Sequence, residues 1–259
     1  MSLLLSLFPG IGLLDRAFEE EGFVVVRGPD VLWGGDIRKF HPPAGKFDGV
    51  IGGPPCQMFS SLARLVEANG HKTRFGNLIP EYERCVKEAL PAWFVMENVE
   101  AAPAPNVEGY GIHSFIIDNS LLAGDDGFGH EQRRLRKFTF GIRGGEAPNL
   151  MRWIDLATFV LPDPARTLTQ YPVNNSKAAK TRSVCATSTG GQPRPANGAR
   201  AGRYRLDDAI RLQGLPADFL IDAPFTAEGK LKAVANGVPL TMGKAIARAV
   251  KEATITTGA

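Results

Sequence analysis

The 259-residue chain has little cysteine: Cys56, Cys85 and Cys185 are too few for a disulfide framework, and no two of them have the C-x-x-C spacing of a thiolate metal site. Long apolar runs are missing too. The Leu-rich stretch near the start is broken by Asp15, Arg16, Glu19, Glu20 and Glu21, well short of the ~18 apolar residues that a membrane span needs. It also lacks the basic flank and small-residue cleavage site of a signal peptide, so a reducing cytoplasm is the expected location. With 44% apolar and 22% charged residues, disordered, collagenous and coiled-coil classes are excluded. A chain of this length folds as one or two domains and buries about 70–75% of the surface it exposes unfolded.

The formal net charge of +3 hides an asymmetry. Residues 133–205 hold 14 of the 30 Lys/Arg but only Glu146, Asp155 and Asp163 among the 27 acids. Such a segment suits a polyanion, with nucleic acid ahead of membrane because no amphipathic anchor accompanies it; a merely solubilising surface is the alternative.

Apolar runs at 3–8, 23–27, 47–52, 93–97, 113–118 and 137–142 alternate with helical patterns at 13–21 and 80–90, which predicts a mainly parallel sheet covered by helices. Thr169–Arg203 is rich in Asn, Ser, Thr, Gly and Pro, with six basic residues and no acidic one, and reads as a long ligand-contacting loop. Beyond it, 206–212 and 241–252 read as helices, the second with Met242, Ile246, Ala249 and Val250 on one stripe.

Several segments carry candidate chemistry. Phe8-Pro-Gly-Ile-Gly12 joins the first strand to the first helix, where small residues let a nucleotide-like ligand approach the backbone and N–H groups at the helix start stay available to it. Asp30 and Asp36 follow the second strand, the place where α/β folds hold ribose hydroxyls; solvated turn aspartates are the alternative. Gly52-Gly-Pro-Pro-Cys56 ends a strand in a rigid loop that presents either a nucleophilic thiol or a buried small hydrophobe. Glu97 ends the run Trp93–Met96, partly desolvated and suited to share a proton, or else to serve as a structural acid. In Gln132-Arg-Arg-Leu-Arg136, period-two alternation puts Gln132, Arg134 and Arg136 on one face. Those arginines suit phosphate or a base oxygen, unless they simply line an exposed edge.

Taken together, Leu7-Phe-Pro-Gly-Ile-Gly12, Pro54-Pro-Cys-Gln57, Glu97-Asn-Val99, Gln132-Arg-Arg-Leu-Arg136, Arg211-Leu-Gln-Gly-Leu-Pro216 and Ala235-Asn-Gly-Val-Pro239 resemble the ordered motifs of the DNA (cytosine-5) methyltransferases. The resemblance spans residues 3–252. It implies a class-I S-adenosylmethionine-dependent methyltransferase fold, Rossmann-like, divided into a catalytic and cofactor-binding domain at 1–143, a reduced target-recognition segment at 144–203 and a C-terminal return at 204–259.

By the same resemblance, Cys56 would add to C6 of a flipped-out cytosine, Glu97 would meet its N3 edge, Arg136 its oxygen and Arg134 a neighbouring phosphate. Phe8, Gly10, Gly12, Asp30, Asp36, Ile37 and Pro54 would surround S-adenosylmethionine, with Asp30 on the ribose, Asp36 on the adenine amino group, and Asn236 and Val238 completing the site. Gln57, Ser60, Gln132, Lys177, Lys180, Arg182 and Arg203 would contact DNA, and Phe59–Phe75 would close over the flipped base. The expected partner is double-stranded DNA, with no metal and no membrane, and the expected state a monomer in a prokaryotic or phage-infected cell, paired or not with a restriction enzyme.

The chain departs from the family pattern at Ser6, where an acid is usual, and at Leu13, where a glycine is usual. Five residues between Asp30 and Asp36 are too few for a helical crossover, so one crossover helix is expected to be missing. An RNA cytosine-5 methyltransferase, a catalytically silent nucleic-acid-binding homologue and the use of a modified cofactor are the alternative readings.

Overall fold

The computed structural model describes residues 1–55, 59, 76–124, 127–158, 160 and 206–258. Two compact units interleave along the chain. The first comprises residues 1–117, 135–154 and 246–259, and the second comprises residues 118–134 and 155–245.

The first unit is built on a six-stranded sheet of order β2-β1-β3-β4-β6-β5. Its strands are β1 (Leu3–Leu7), β2 (Val24–Arg27), β3 (Gly49–Gly52), β4 (Trp93–Asn98), β5 (Tyr110–Asp118) and β6 (Leu135–Arg143). Strands β1 to β4 pair in parallel, and β6 lies antiparallel to β4 with Glu97 opposite Phe138. Parallel strands covered on both faces are apolar throughout, and Leu4, Leu5, Leu7, Val50, Ile51, Phe94, Val95 and Met96 are accordingly buried.

Helix α1 (Leu13–Glu20) follows the glycine turn, and α2 (Ile79–Ala89) lies between β3 and β4. Ile79, Tyr82, Cys85, Val86 and Ala89 of α2 pack into one core with Leu5, Leu7, Val50, Phe94 and Met96. Each large apolar side chain buried there contributes about 1.5–3 kcal/mol. The Tyr82 hydroxyl satisfies itself on the Val95 carbonyl at 2.8 Å.

Between β2 and β3 there is neither strand nor α-helix, only two single 3₁₀ turns, Val31–Trp33 and Ile37–Lys39. Asp30 caps the first through the Leu32 amide and Asp36 caps the second through the Arg38 amide. The missing crossover is thus real, and it leaves β2 at the edge of the sheet.

The second unit contains the bridges Leu122–Leu156 and Ala123–Gly129 and the helices α3 (Leu206–Leu212) and α4 (Ala227–Asn236). Helix α4 has almost no apolar stripe, with only Val234 and Ala235 buried, so periodicity does not reveal it. Its start is fixed instead by the Thr226 hydroxyl, which accepts from the Gly229 amide at 3.1 Å. Helix α5 (Leu240–Thr257) outruns its predicted ends, and its predicted stripe is fully buried.

Candidate active site

Strand β4 buries Trp93 through Met96 and then delivers Glu97, whose side chain is 13% exposed. Arg136 on β6 places Nε 2.8 Å from Glu97 Oε1, a largely buried pair that orients the carboxylate. On its other side runs the loop leaving β3. A Cβ at Gly53 would stand 2.9 Å from Glu97 Oε2, so any larger residue there would have to displace the carboxylate from its place beside Arg136. The next residue of β4, Asn98, is 2% exposed and donates through Nδ2 to the Pro54 carbonyl at 3.2 Å, while its Oδ1 accepts from the Val99 amide at 2.8 Å. The loop that leads toward Cys56 is therefore bonded to the end of β4 at Asn98 and passes close to Glu97 at Gly53. Cys56, Gln57 and Ser60 themselves lie outside the described residues, as do Lys177, Lys180, Arg182 and Arg203.

The Gln/Arg motif is not the single face that alternation predicts. Strand β6 begins only at Leu135, so of the three residues only Arg136 belongs to the sheet. Gln132 is fully buried in the second unit. Arg134 is 4% exposed, and its Nη2 donates to the carbonyls of Ala235 at 2.8 Å and Gly237 at 2.9 Å. Its Nη2 is thereby engaged by backbone carbonyls.

Gln213, also fully buried, donates from Nε2 to Val234 at 2.6 Å and to the same Gly237 carbonyl at 3.1 Å. Arg134 and Gln213 thus hold the turn that carries exposed Asn236 and buried Val238. Arg134→Ala removes two charge-assisted hydrogen bonds and leaves the buried Ala235 carbonyl without this donor, while the Gly237 carbonyl keeps Gln213. It is expected to lower stability by about 3 kcal/mol, read from denaturant unfolding; a loss within experimental error would contradict the clamp.

In the first unit, Phe8, Gly10 and Gly12 all have left-handed backbone, with φ of 57°, 56° and 78°. Such a φ at the non-glycine Phe8 costs on the order of 1–3 kcal/mol and is a mark of functional turns. The amides that the sequence reading leaves to a ligand are partly taken: Gly10 N donates to Asp30 Oδ2 at 2.9 Å and Gly12 N to the Pro9 carbonyl at 2.8 Å. Asp30 Oδ1 also accepts from Leu32 N at 2.7 Å, and the exposed Trp33 donates from its indole to the Gly10 carbonyl at 2.8 Å. Both bonds to Asp36, from Arg38 N at 3.1 Å and Nε at 2.9 Å, fall on Oδ1. The hydrogen bond from Arg38 holds the Asp36 carboxyl below its ordinary range.

Beneath the turn, buried Asp15 accepts from the Ser6 hydroxyl at 2.5 Å and from Arg27 Nε at 2.9 Å. Burial outweighs these partners and pushes its carboxyl above the ordinary range. A Cβ at Gly12 would meet Arg27 Nη2 at 2.9 Å, a contact the half-exposed guanidinium could relieve by shifting, so it is the left-handed backbone that favours glycine there. The sequence gives no role to Asp15, Arg27, Asn98 or Gln213. Two of them stand in motifs all the same, Asn98 in Glu97-Asn-Val99 and Gln213 in Arg211–Pro216.

Cys85 differs from the expected nucleophile. It is buried in α2, and burial pushes its thiol up to about 11, so it is a neutral core residue near neutral pH.

The sequence model of the C-5 cytosine-specific DNA methylases matches residues 32–189. The chain belongs to that family. Among curated relatives, Type II methyltransferase M.AquIA of Picosynechococcus sp. is 35% identical over 217 residues, covering 67% of this chain and 79% of that protein. Type II methyltransferase M.HgiDI of Herpetosiphon aurantiacus is 30% identical over 177 residues, covering 56% of this chain and 54% of its own. The chain spans about half the length of M.HgiDI and of M.NgoPII of Neisseria gonorrhoeae, whose matched share is 48%.

Solved structures extend the likeness to the whole fold. Methyltransferase EhMeth of Entamoeba histolytica superposes with a TM-score of 0.60 at 13% identity, covering 99% of both chains. The S. pombe Dnmt2 methyltransferase gives 0.60 at 11%, covering 100% of this chain and 99% of that one. This methylase chain therefore has the class-I methyltransferase fold, in a form without the strand and helix that would follow β2.

Proposed function

We propose that the chain methylates C5 of cytosine in double-stranded DNA through a covalent adduct of Cys56. The observation that carries this is the convergence at the end of β4, where Glu97 lies against Gly53 and Asn98 anchors Pro54, the residues that lead into Cys56. Cytosine C5 is too weak a nucleophile to accept a methyl group unaided. Addition of the Cys56 thiolate to C6, with Glu97 giving or sharing a proton at N3, makes C5 enamine-like. Once C5 is methylated, loss of its proton and elimination of Cys56 restore the ring. A guanidinium carries five donors, so Arg136 has capacity for the base oxygen as well as for Glu97.

S-adenosylmethionine supplies an electrophilic methyl group on a sulfonium when bound. Residues of the first unit fit its nucleoside end: Asp30 and Asp36 offer carboxylates beside a turn with left-handed backbone, and Gly10 has open space where a Cβ would stand. Carboxylate oxygens keep a second lone pair after one hydrogen bond, which leaves Asp30 able to accept ribose hydroxyls and Asp36 the adenine amino group. For Phe8, Ile37, Pro54, Asn236 and Val238 the assignment to this cofactor rests on family membership.

No helix among the described residues is long and apolar enough to cross a membrane, and no group of three His, Cys, Asp or Glu among them is placed to hold a metal ion. Incubation with labelled S-adenosylmethionine and duplex DNA, single-stranded DNA or RNA tests the proposal. Label is expected in duplex DNA as 5-methylcytosine; label confined to RNA would overturn the substrate assignment.

The basic segment at 144–203 is proposed as the main DNA-contacting element, acting through phosphates. Neutralising Lys177, Lys180, Arg182, Arg194, Arg200 and Arg203 should flatten the slope of log K against log salt by up to about 0.9 for each phosphate that is no longer neutralised, with the preferred sequence unchanged. The recognised site should be short, a dinucleotide or little more. Salt titration of DNA binding reads the slope and bisulfite sequencing of DNA methylated in vitro reads the site; an unchanged slope, or a stringent five- or six-base-pair site, would contradict these expectations.

A further inference from the structure

We infer that Arg84, on α2, is a positioning residue for the base end of the cofactor and sets the chain's preference for an adenine amino group; the inference rests on the cofactor reading above. Arg84 reaches in three directions. Its Nε lies 2.9 Å from Glu81 Oε2 and its Nη1 2.8 Å from Glu88 Oε1, partners one turn away on either side along the same helix. Its Nη2 donates at 2.8 Å to the carbonyl of Ile37. His41 Nδ1, 3.1 Å from Glu88 Oε2, steadies the far carboxylate.

Two carboxylates therefore fix a planar guanidinium whose third arm ends on the residue after Asp36. A guanidinium held this way is pre-organised, and lysine cannot reproduce the fork. Ile37 is buried in the same core as Tyr82, Cys85 and Val86 of α2, so the 3₁₀ turn is secured to that helix by its side chain and its carbonyl together. The Asp36 carboxylate is in turn oriented by Arg38 on that turn.

The chemistry that reads this placement is the purine 6-position. An adenine amino group donates to the Asp36 carboxylate, whereas the carbonyl of hypoxanthine sets acceptor against acceptor. Misplacing the carboxylate should weaken binding of the adenine form and leave the hypoxanthine form little changed. A general loss of fold would weaken both.

The test is calorimetric titration of the full chain, without DNA, with S-adenosylhomocysteine and S-inosylhomocysteine. Wild type should prefer the adenosyl ligand. Arg84→Gln should weaken that ligand by about 10–100-fold, the worth of one charge-assisted hydrogen bond, with little change for the inosyl ligand, so that the preference collapses. Arg84→Lys should fall between, and Lys87→Gln, whose side chain pairs with Glu108 instead, should match wild type. Equal weakening of both ligands, unchanged binding, or a wild type that binds both equally would overturn the inference. A wild type that binds neither would instead contradict the proposed function. Should Arg84→Gln fail to fold, Glu88→Gln releases one arm of the fork and is read by the same ratio.

Discussion

Alanine at position 56 is expected to abolish methyl transfer to duplex DNA while calorimetric binding of S-adenosylhomocysteine stays near the wild-type value. The thiolate is the only group in the proposed mechanism that converts C5 of cytosine into a nucleophile, and no neighbouring carboxylate or guanidinium can form the C6 adduct in its place. Loss of a covalent nucleophile elsewhere has cost on the order of 10⁶ in turnover, which puts the residual rate below detection in most assays. Cys85 offers no rescue, being buried in the core with its thiol pushed up to about 11. Cofactor affinity is expected to survive because the glycine turn, Asp30 and Asp36, proposed above to hold the nucleoside, lie after β1 and between β2 and β3, not in the loop after β3. Measurable 5-methylcytosine from Cys56→Ala would sink the mechanism.

Glu97→Gln is expected to lower the single-turnover rate by about 10²–10⁴, the range for a positioned acid–base group. Glutamine fills the same volume between Gly53 and Arg136 and keeps a hydrogen bond to N3, so the fold and DNA affinity should hold. What it cannot do is transfer a proton or balance the adjacent guanidinium, whose Nε lies 2.8 Å away in a pair with little solvent access. Removing the charge thus strikes the transition state harder than the ground state. A rate like that of wild type, with unchanged melting behaviour, would show that Glu97 only anchors Arg136.

Strands β1, β3 and β4 could be read from the sequence because strands covered on both faces are unbroken apolar runs, and each ends in residues that change character abruptly: the glycine turn, Gly53-Pro54-Pro55 and Glu97-Asn98. The same clarity exposed the missing crossover, since a count of residues between Asp30 and Asp36 suffices to exclude a helix.

Arg134 shows what such reading cannot reach. Its Nη2 partners stand 101 and 103 residues further along the chain, and nothing local shows that the guanidinium reaches those two carbonyls. Alternation put it on a common face with Arg136, yet the strand that would enforce alternation starts one residue after Arg134. Helix α4 escaped for a different reason: a helix burying only Val234 and Ala235 has no stripe to detect. Asp15 looked like an ordinary first-turn acid, and only the packing shows it buried between Arg27 and Ser6, the position at which the chain departs from the family's usual acid.

Covalent catalysis by Cys56 on cytosine in duplex DNA can be trapped. Duplex DNA carrying 5-fluorocytosine is incubated with the protein and S-adenosylmethionine, then denatured and digested for peptide mapping. Fluorine cannot leave C5 as a proton does, so elimination is blocked and a denaturation-resistant adduct should accumulate, mapping to the peptide that contains Cys56 and disappearing in Cys56→Ala. Methylation of ordinary cytosine by the same preparation without any such adduct on the fluorinated duplex would contradict the account.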